Sequence, residues 1–216
     1  MILFVAGIDT DIGKTVATGH LARRYAAQGR SVVTQKLVQT GCGGFSEDIL
    51  VHRKIMGIDL LTEDRNGLTC PHTFRFPGSP HLAAALEGKT VDLARLAATA
   101  RQLAGVYEFV LVEGAGGLCV PLTDRVLTVD FVGEQGWPVI LVSSPRLGSI
   151  NHTILSLEAL RARGLPLQAV VYNLHHEARP EIVRDTRWMI ENTIRRMGFS
   201  APVMDLPDRA YPTCAL

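Results

Sequence analysis

Gly13-Lys14-Thr15 stands between two segments of different periodicity. Before it, Ile2-Leu3-Phe4-Val5-Ala6 is a short apolar run of the kind a buried strand shows. After it, Val16, Ala17, His20, Leu21 and Tyr25 recur at helical spacing up to Gly29. A glycine-bounded loop between strand and helix is a place to grip phosphate. The first amides of the helix lack internal partners, and the helix dipole adds positive potential. The amides of Asp11, Ile12, Gly13, Lys14, Thr15 and Val16 would face the phosphates, Lys14 would add a point charge, and the Thr15 hydroxyl would ligate Mg²⁺. The spacing departs from G-x-x-x-x-G-K-[ST]. Five residues, not four, separate Gly7 from Gly13, and Ile8 sits where the first glycine would be.

Three further side chains have chemistry to offer at strand or helix ends. Lys36 follows Ser31–Gln35, which reads as a second strand, and ligands in doubly wound sheets sit beyond the carboxyl ends of strands. Read alone, it is better taken as a solvated surface lysine. Asp48 falls in the first turn of a helix capped by Ser46, where it either complements the dipole or reaches a metal at the neighbouring loop. Glu113 ends the apolar run Tyr107–Val112 and precedes Gly114-Ala115-Gly116-Gly117. A carboxylate at such a strand tip is a second Mg²⁺-organising group in phosphate-loop proteins. His175-His176-Glu177 has no further ligand at matching spacing and reads as a loop, and His152 as a solvent-facing or capping residue, so zinc is not expected.

The elements that must position these groups alternate. Strands are expected at 2–6, 31–35, 107–112, 138–142, 167–172 and 202–204. Helices are expected at 14–28, 46–56, 81–86, 92–104, 128–135, about 151–163 and 180–197, with 66–79 irregular and Leu206-Pro207-Asp208 a loop. That pattern predicts an α/β fold, a doubly wound, mostly parallel sheet with helices on both faces, as a single domain over 1–216. An apolar fraction of 47% supports a sizeable core. A net charge of +1 gives no broad field for nucleic acid or anionic membrane, and no apolar segment is long enough to span a bilayer. The dispersed Cys42, Cys70, Cys119 and Cys214 suit reduced thiols, and the first residues do not read as a signal peptide, so the expected location is the cytoplasm.

Five segments together resemble the dethiobiotin synthetase family. Gly7–Thr15 is similar to its G-T-D-T-x-x-G-K-T loop, including the five-residue spacing. Lys36–Gly41 is similar to K-P-V-x-[ST]-G, with Leu37 in place of proline. Ser79–Ala84 is similar to S-P-H-x-A-A, Glu113–Gly117 to E-G-A-G-G, and Leu147–His152 to L-G-x-I-N-H. The likeness runs from residue 1 to about 175. It implies a phosphate-loop NTPase-like ligase. From ATP, CO₂ and 7,8-diaminononanoate, with Mg²⁺, such an enzyme makes dethiobiotin, ADP and phosphate through a carbamate and a carbamic-phosphoric anhydride. It implies Lys36, Lys14 and Thr10 as catalytic, and Thr15, Asp48 and Glu113 as metal ligands. Gly114, Ala115, Gly116, Asn173, Leu174, Leu206, Pro207 and Asp208 would join the nucleotide site, with Asn173 meeting the adenine. Thr40 would bind carbamate or diamine. The amides of Gly148, Ser149, Ile150 and Asn151 would bind the substrate carboxylate from a second subunit, which implies a homodimer with its active site at the interface.

Two other readings are weighed against this one. A cobyrinate-amidation-type ligase would carry a glutaminase domain, for which the chain is too short, and no cysteine has that context. A ParA/MinD-like ATPase switch would show K-G-G-x-x-K-[ST]; Gly7-Ile8-Asp9 offers no such extra lysine.

Overall fold

A computed structural model describes residues 1–175 and 178–206. In chain order the elements are β1 (Ile2–Gly7), α1 (Lys14–Ala27), β2 (Val32–Lys36), α2 (Glu47–Met56), α3 (Thr62–Arg65), α4 (Pro80–Leu86) and α5 (Leu93–Ala104). Then come β3 (Phe109–Gly117), α6 (Thr128–Gln135), β4 (Val139–Ser143), α7 (Ser149–Ala162), β5 (Leu167–Asn173), α8 (Pro180–Arg196) and β6 (Val203–Leu206). The strands form one six-stranded sheet in the order β2-β3-β1-β4-β5-β6, and every pairing is parallel. Parallel strands covered on both faces read as near-continuous apolar runs, as β1 and β4 do. The edge strand β2 is buried along its whole length although it carries Thr34, Gln35 and Lys36. From β1 the chain crosses one way to β2, and from β3 the other way to β4. Right-handed crossovers therefore put α1 and α6 on opposite faces.

The expected elements are present within a few residues, with three corrections. First, β3 does not stop at Val112 but continues through Glu113 to Gly117. Val5 and Gly7 of β1 face Glu113 and Gly117 of β3, so two steps on one strand oppose four on the other. The glycines are a bulge inside the sheet rather than a loop leaving it, and Gly116 takes φ +66 there. Second, Leu206 is the buried last residue of β6, not part of a loop, and its carbonyl accepts from the Leu174 amide at 3.0 Å. Third, α3 is an unexpected four-residue helix.

The 66–79 stretch carries no regular element, as expected, yet it is tied down. Lys36 N–H donates to the Thr69 carbonyl, Gln39 N–H to His72 and Cys42 N–H to Phe74, which fixes the chain just beyond β2. Beneath it, buried Arg53 makes a two-pronged pair with buried Asp64, at 2.8 and 2.7 Å, and also donates to the Thr34 hydroxyl. Planar guanidinium-to-carboxylate pairing of this kind fixes direction as well as distance. Among the described residues no helix is long and apolar enough to cross a membrane.

Candidate active site

The carboxyl ends of β1, β2 and β3 lie side by side, with Lys36 in direct register with Glu113. Beyond β1 the loop turns sharply. A Cβ on Gly7 would stand 2.7 Å from the Ile12 side chain and 2.8 Å from the Asp9 carbonyl, so only glycine fits. Asp11 is left-handed at φ 54, and Gly13 caps α1 at φ 92. The loop is braced from below: the Asn173 Nδ2 donates to the Ile12 carbonyl at 2.9 Å. Lys14 Nζ donates to the Asp9 carbonyl at 2.8 Å. Burial lowers the Lys14 pKa to about 8, with nearby Lys36 adding to that and Glu113 and Asp48 opposing it.

Next to the loop is a compact charge cluster. Lys36 Nζ lies 2.5 Å from Asp48 Oδ2 and 2.9 Å from Glu113 Oε1, and donates to the Gly114 carbonyl at 3.1 Å. The Thr15 hydroxyl lies 3.0 Å from Glu113 Oε1 and 3.3 Å from Asp48 Oδ1. Glu113 is 0% exposed. Burial alone would discharge both Lys36 and Glu113. The attraction of Glu113 and Asp48 outweighs it and holds Lys36 above the usual lysine range. Likewise, Lys36 and His52 hold Glu113 well below the usual carboxylate range.

These side chains line a cleft of about 460 Å³ that also takes in Thr10, Asp11, Gly13, Val16, Ala115 and Gly116. A second cavity of about 460 Å³ adjoins it, shares Thr10, Thr40, Ala115 and Gly116, and is walled by Pro77 and Pro80. Both sizes fall in the range of small-molecule sites. No three His, Cys, Asp or Glu side chains among the described residues form a metal cage. Mg²⁺ does not need one, since one or two carboxylates plus phosphate oxygens and water complete its shell. Thr15, Asp48 and Glu113, three oxygen donors within 3.3 Å of one another through the hydroxyl, fit that role.

Other residues singled out from the sequence lie elsewhere. Gly148 caps α7 at φ 91, and with Ile150 it lines a separate cavity of about 320 Å³ beside Glu181 and Asp185 of α8. Ser149 is buried against Ser144, and Asn151 is exposed on α7. Within one chain, therefore, this turn does not line the cleft of Lys14 and Lys36. Asn173 is 0% exposed, and its two side-chain heteroatoms serve the Ile12 carbonyl and the His175 amide. The resemblance implies that Asn173 meets an adenine; here its side chain lies under the loop and does not line the cleft. Leu174 and Leu206 pack against the core, and Pro207 and Asp208 lie outside the described residues.

Three contributions were not anticipated. His52 Nε2 meets Glu113 Oε2 at 2.8 Å. Its spacing of four from Asp48 on α2 was the available signal. The Leu37 N–H donates to the Glu113 carbonyl at 2.9 Å, a bond the proline of the resembled segment could not make. Asp9 pairs with Arg146 at 2.6 Å, tying the phosphate loop to the turn before α7.

A family model described as an AAA domain matches residues 2–200. The chain is 53% identical over 206 residues to the ATP-dependent dethiobiotin synthetase BioD of Chlorobaculum tepidum, covering 95% of this chain and 86% of the relative. It is 47% identical to BioD 2 of Pasteurella multocida, over 95% of this chain and 97% of the relative. Among solved structures, a chain of the MinC:MinD cell division protein complex of Aquifex aeolicus matches with a TM-score of 0.55 at 14% identity, over 98% of this chain and 86% of that one. A ParA family ATPase from Chlorobium tepidum TLS gives 0.55 at 14%, over 97% and 86%. At that identity the two structures share the fold alone.

Proposed function

The chain belongs to the dethiobiotin synthetase family, and from that premise we propose that it closes the ureido ring of dethiobiotin from 7,8-diaminononanoate, CO₂ and ATP, as one domain over residues 1–216. The observation that carries this reading is the convergence of Lys14, Lys36, Thr15, Asp48 and Glu113 in one cleft beside a second, less polar cavity.

In the proposed sequence, one amine of the diamine adds to CO₂ and loses a proton, giving a carbamate. A carbamate oxygen attacks the γ-phosphorus, the bond to ADP breaks, and a carbamic-phosphoric anhydride forms. The second amine attacks the carbamoyl carbon and loses a proton, phosphate leaves with the electron pair, and the ring closes. Phosphoryl transfer of this kind needs positioning and stabilisation of spreading negative charge. The amides of residues 11–16 and Lys14 hold the β- and γ-phosphates. Lys36, already oriented by two carboxylates and the Gly114 carbonyl, faces the charge that develops on the transferring group. Thr10 and Thr40, which border both cavities, hydrogen-bond carbamate and diamine. Thr15, Asp48 and Glu113 would hold Mg²⁺, which when bound neutralises phosphate charge. Asn173 braces the loop. The Gly148–Asn151 turn serves the active site of a second copy, since in its own chain it does not line the cleft; this makes the working form a homodimer. The dispersed thiols suit a cytoplasmic location.

Incubating the purified protein with the diamine, bicarbonate and MgATP should yield dethiobiotin and one ADP per ring closed. ATP hydrolysis indifferent to the diamine, with no product, would refute the assignment.

Lys14 supplies a pH prediction. Its pKa of about 8 in the folded chain lies below the 10.5 of an ordinary lysine. Between those values the unfolded chain binds more protons, so the Lys14 contribution to stability rises with pH across that window. A bound triphosphate favours the charged form. Nucleotide binding should therefore take up a proton above pH 8, and affinity should fall about tenfold per pH unit there. Calorimetry at pH 8.5–9.5 in buffers of different ionisation enthalpy reads this directly; equal heats in all buffers would contradict it.

A further inference from the structure

The two oxygens of Glu113 are held from opposite directions. Oε1 takes Lys36 and Thr15 on the cleft side, and Oε2 takes His52 at 2.8 Å on the α2 side. The terminal torsion of a glutamate is soft, so a carboxylate bound at one oxygen alone can swing about it. A second hydrogen bond at Oε2 removes that freedom. Glu113 is ionised and can only accept, so the His52 Nε2 carries the proton and donates.

His52 is an odd residue for this place if packing were its task. It is 0% exposed on the buried stripe of α2, between Ile49 and Ile55. Its other nitrogen, Nδ1, is buried with no hydrogen-bond partner among the described residues. A leucine would fill the same stripe without burying an unpaired nitrogen, which is costly. What the imidazole adds is the one bond to Glu113. Asp48 lies four residues earlier on the same face of α2, so a single helix presents both a carboxylate to the cleft and the residue that aims the second carboxylate.

We infer that His52 is a positioning residue: it fixes the Glu113 carboxylate so that Oε1 faces the nucleotide cleft beside Thr15 and Asp48, without itself touching substrate. This rests on the reading of that cleft as a Mg-nucleotide site. It is an outer support of the kind that orients ligands around a bound ion.

The test compares His52→Leu, which keeps the volume and removes the donor, with His52→Gln, whose amide nitrogen reaches about where Nε2 stands. The readouts are melting temperature, the Mg²⁺ concentration giving half-maximal binding of ATP by calorimetry, and kcat and KM for ring closure. His52→Leu should fold but melt lower than the parent, because the buried Glu113 Oε2 loses its donor. It should need about tenfold or more Mg²⁺ for the same ATP binding, the usual cost of losing such a support. His52→Gln should restore the Mg²⁺ requirement to within about threefold of the parent on the same scale. A leucine variant with the parent's Mg²⁺ requirement, a glutamine variant as impaired as leucine, or failure of both chains to fold would overturn the proposal. Because binding is read apart from turnover, normal Mg-ATP binding by the parent without dethiobiotin formation would fault the functional reading and leave the role of His52 standing.

Discussion

Replacing Lys36 with glutamine should lower kcat for ring closure about 10²–10³-fold, the loss that follows removal of one preorganised donor from a developing anion. Glutamine keeps a hydrogen-bond donor but brings no charge. The glycine loop, Lys14 and the helix amides remain, so ATP binding should change by no more than about threefold in calorimetry, because on the proposed reading those groups hold the ground-state phosphates. A split of this kind, turnover lost and nucleotide retained, distinguishes a group at the reacting centre from one that merely binds. The folded protein holds Lys36 above 10.5, so its ion pairs stabilise the fold fully below that pH and lose their effect as pH rises beyond it. At neutral pH the variant should therefore also melt lower than the parent. Turnover within about threefold of the parent would remove Lys36 from the chemistry.

Glu113→Ala should have the largest effect on stability. The change leaves the buried Lys36 ammonium with only Asp48 and one carbonyl, and strips His52 Nε2 of its acceptor. Breaking a buried pair from one side typically costs about 3–5 kcal/mol. For a chain of this size that is a fall of roughly 10 °C in melting temperature. The Glu113 pKa is depressed in the fold, so its stabilisation is present above 4.5, the ordinary value, and is lost as pH falls below it. Melting curves of parent and variant should accordingly stand well apart at pH 7 and draw together on acidification from pH 5 downward. A constant gap would contradict the assignment. The Mg²⁺ dependence of ATP binding should weaken in parallel, and an unchanged metal titration would take Glu113 out of the metal site.

The sequence displayed the central strands openly, because β1 and β4 are buried on both faces and are apolar along nearly their whole length. The loop ending in Gly13-Lys14-Thr15 and the carboxylate at Glu113 stood out for the same reason: polar groups at the tip of an apolar run have few structural excuses. What stayed hidden depended on partners distant in the chain. Gly114–Gly117 looks like a turn until β1 is laid beside it, when the unequal step between Val5 and Gly7 makes it a bulge. Arg53 and Asp64 look like solvated charges, and only the fold closes them over one another. His52 sits in an ordinary helical stripe, and its meaning lies 61 residues away at Glu113. For Asn173, the resemblance to a family suggests a ligand contact, and only the fold adds the bond from its buried side chain to the Ile12 carbonyl. The helix α3 is too short for periodicity to register.

The brace from Asn173 to the Ile12 carbonyl, together with the hydrogen bond from Lys14 to the Asp9 carbonyl, holds the proposed receptacle for phosphate in shape by bonds within the chain. A chain segment already frozen has little disorder left to surrender when a ligand settles into it. On the proposed reading, uptake of nucleotide is then a matter of exchanging water for amides rather than of shaping a loop, and its thermodynamics should report the electrostatics of the cradle more than any folding of the protein around its cargo.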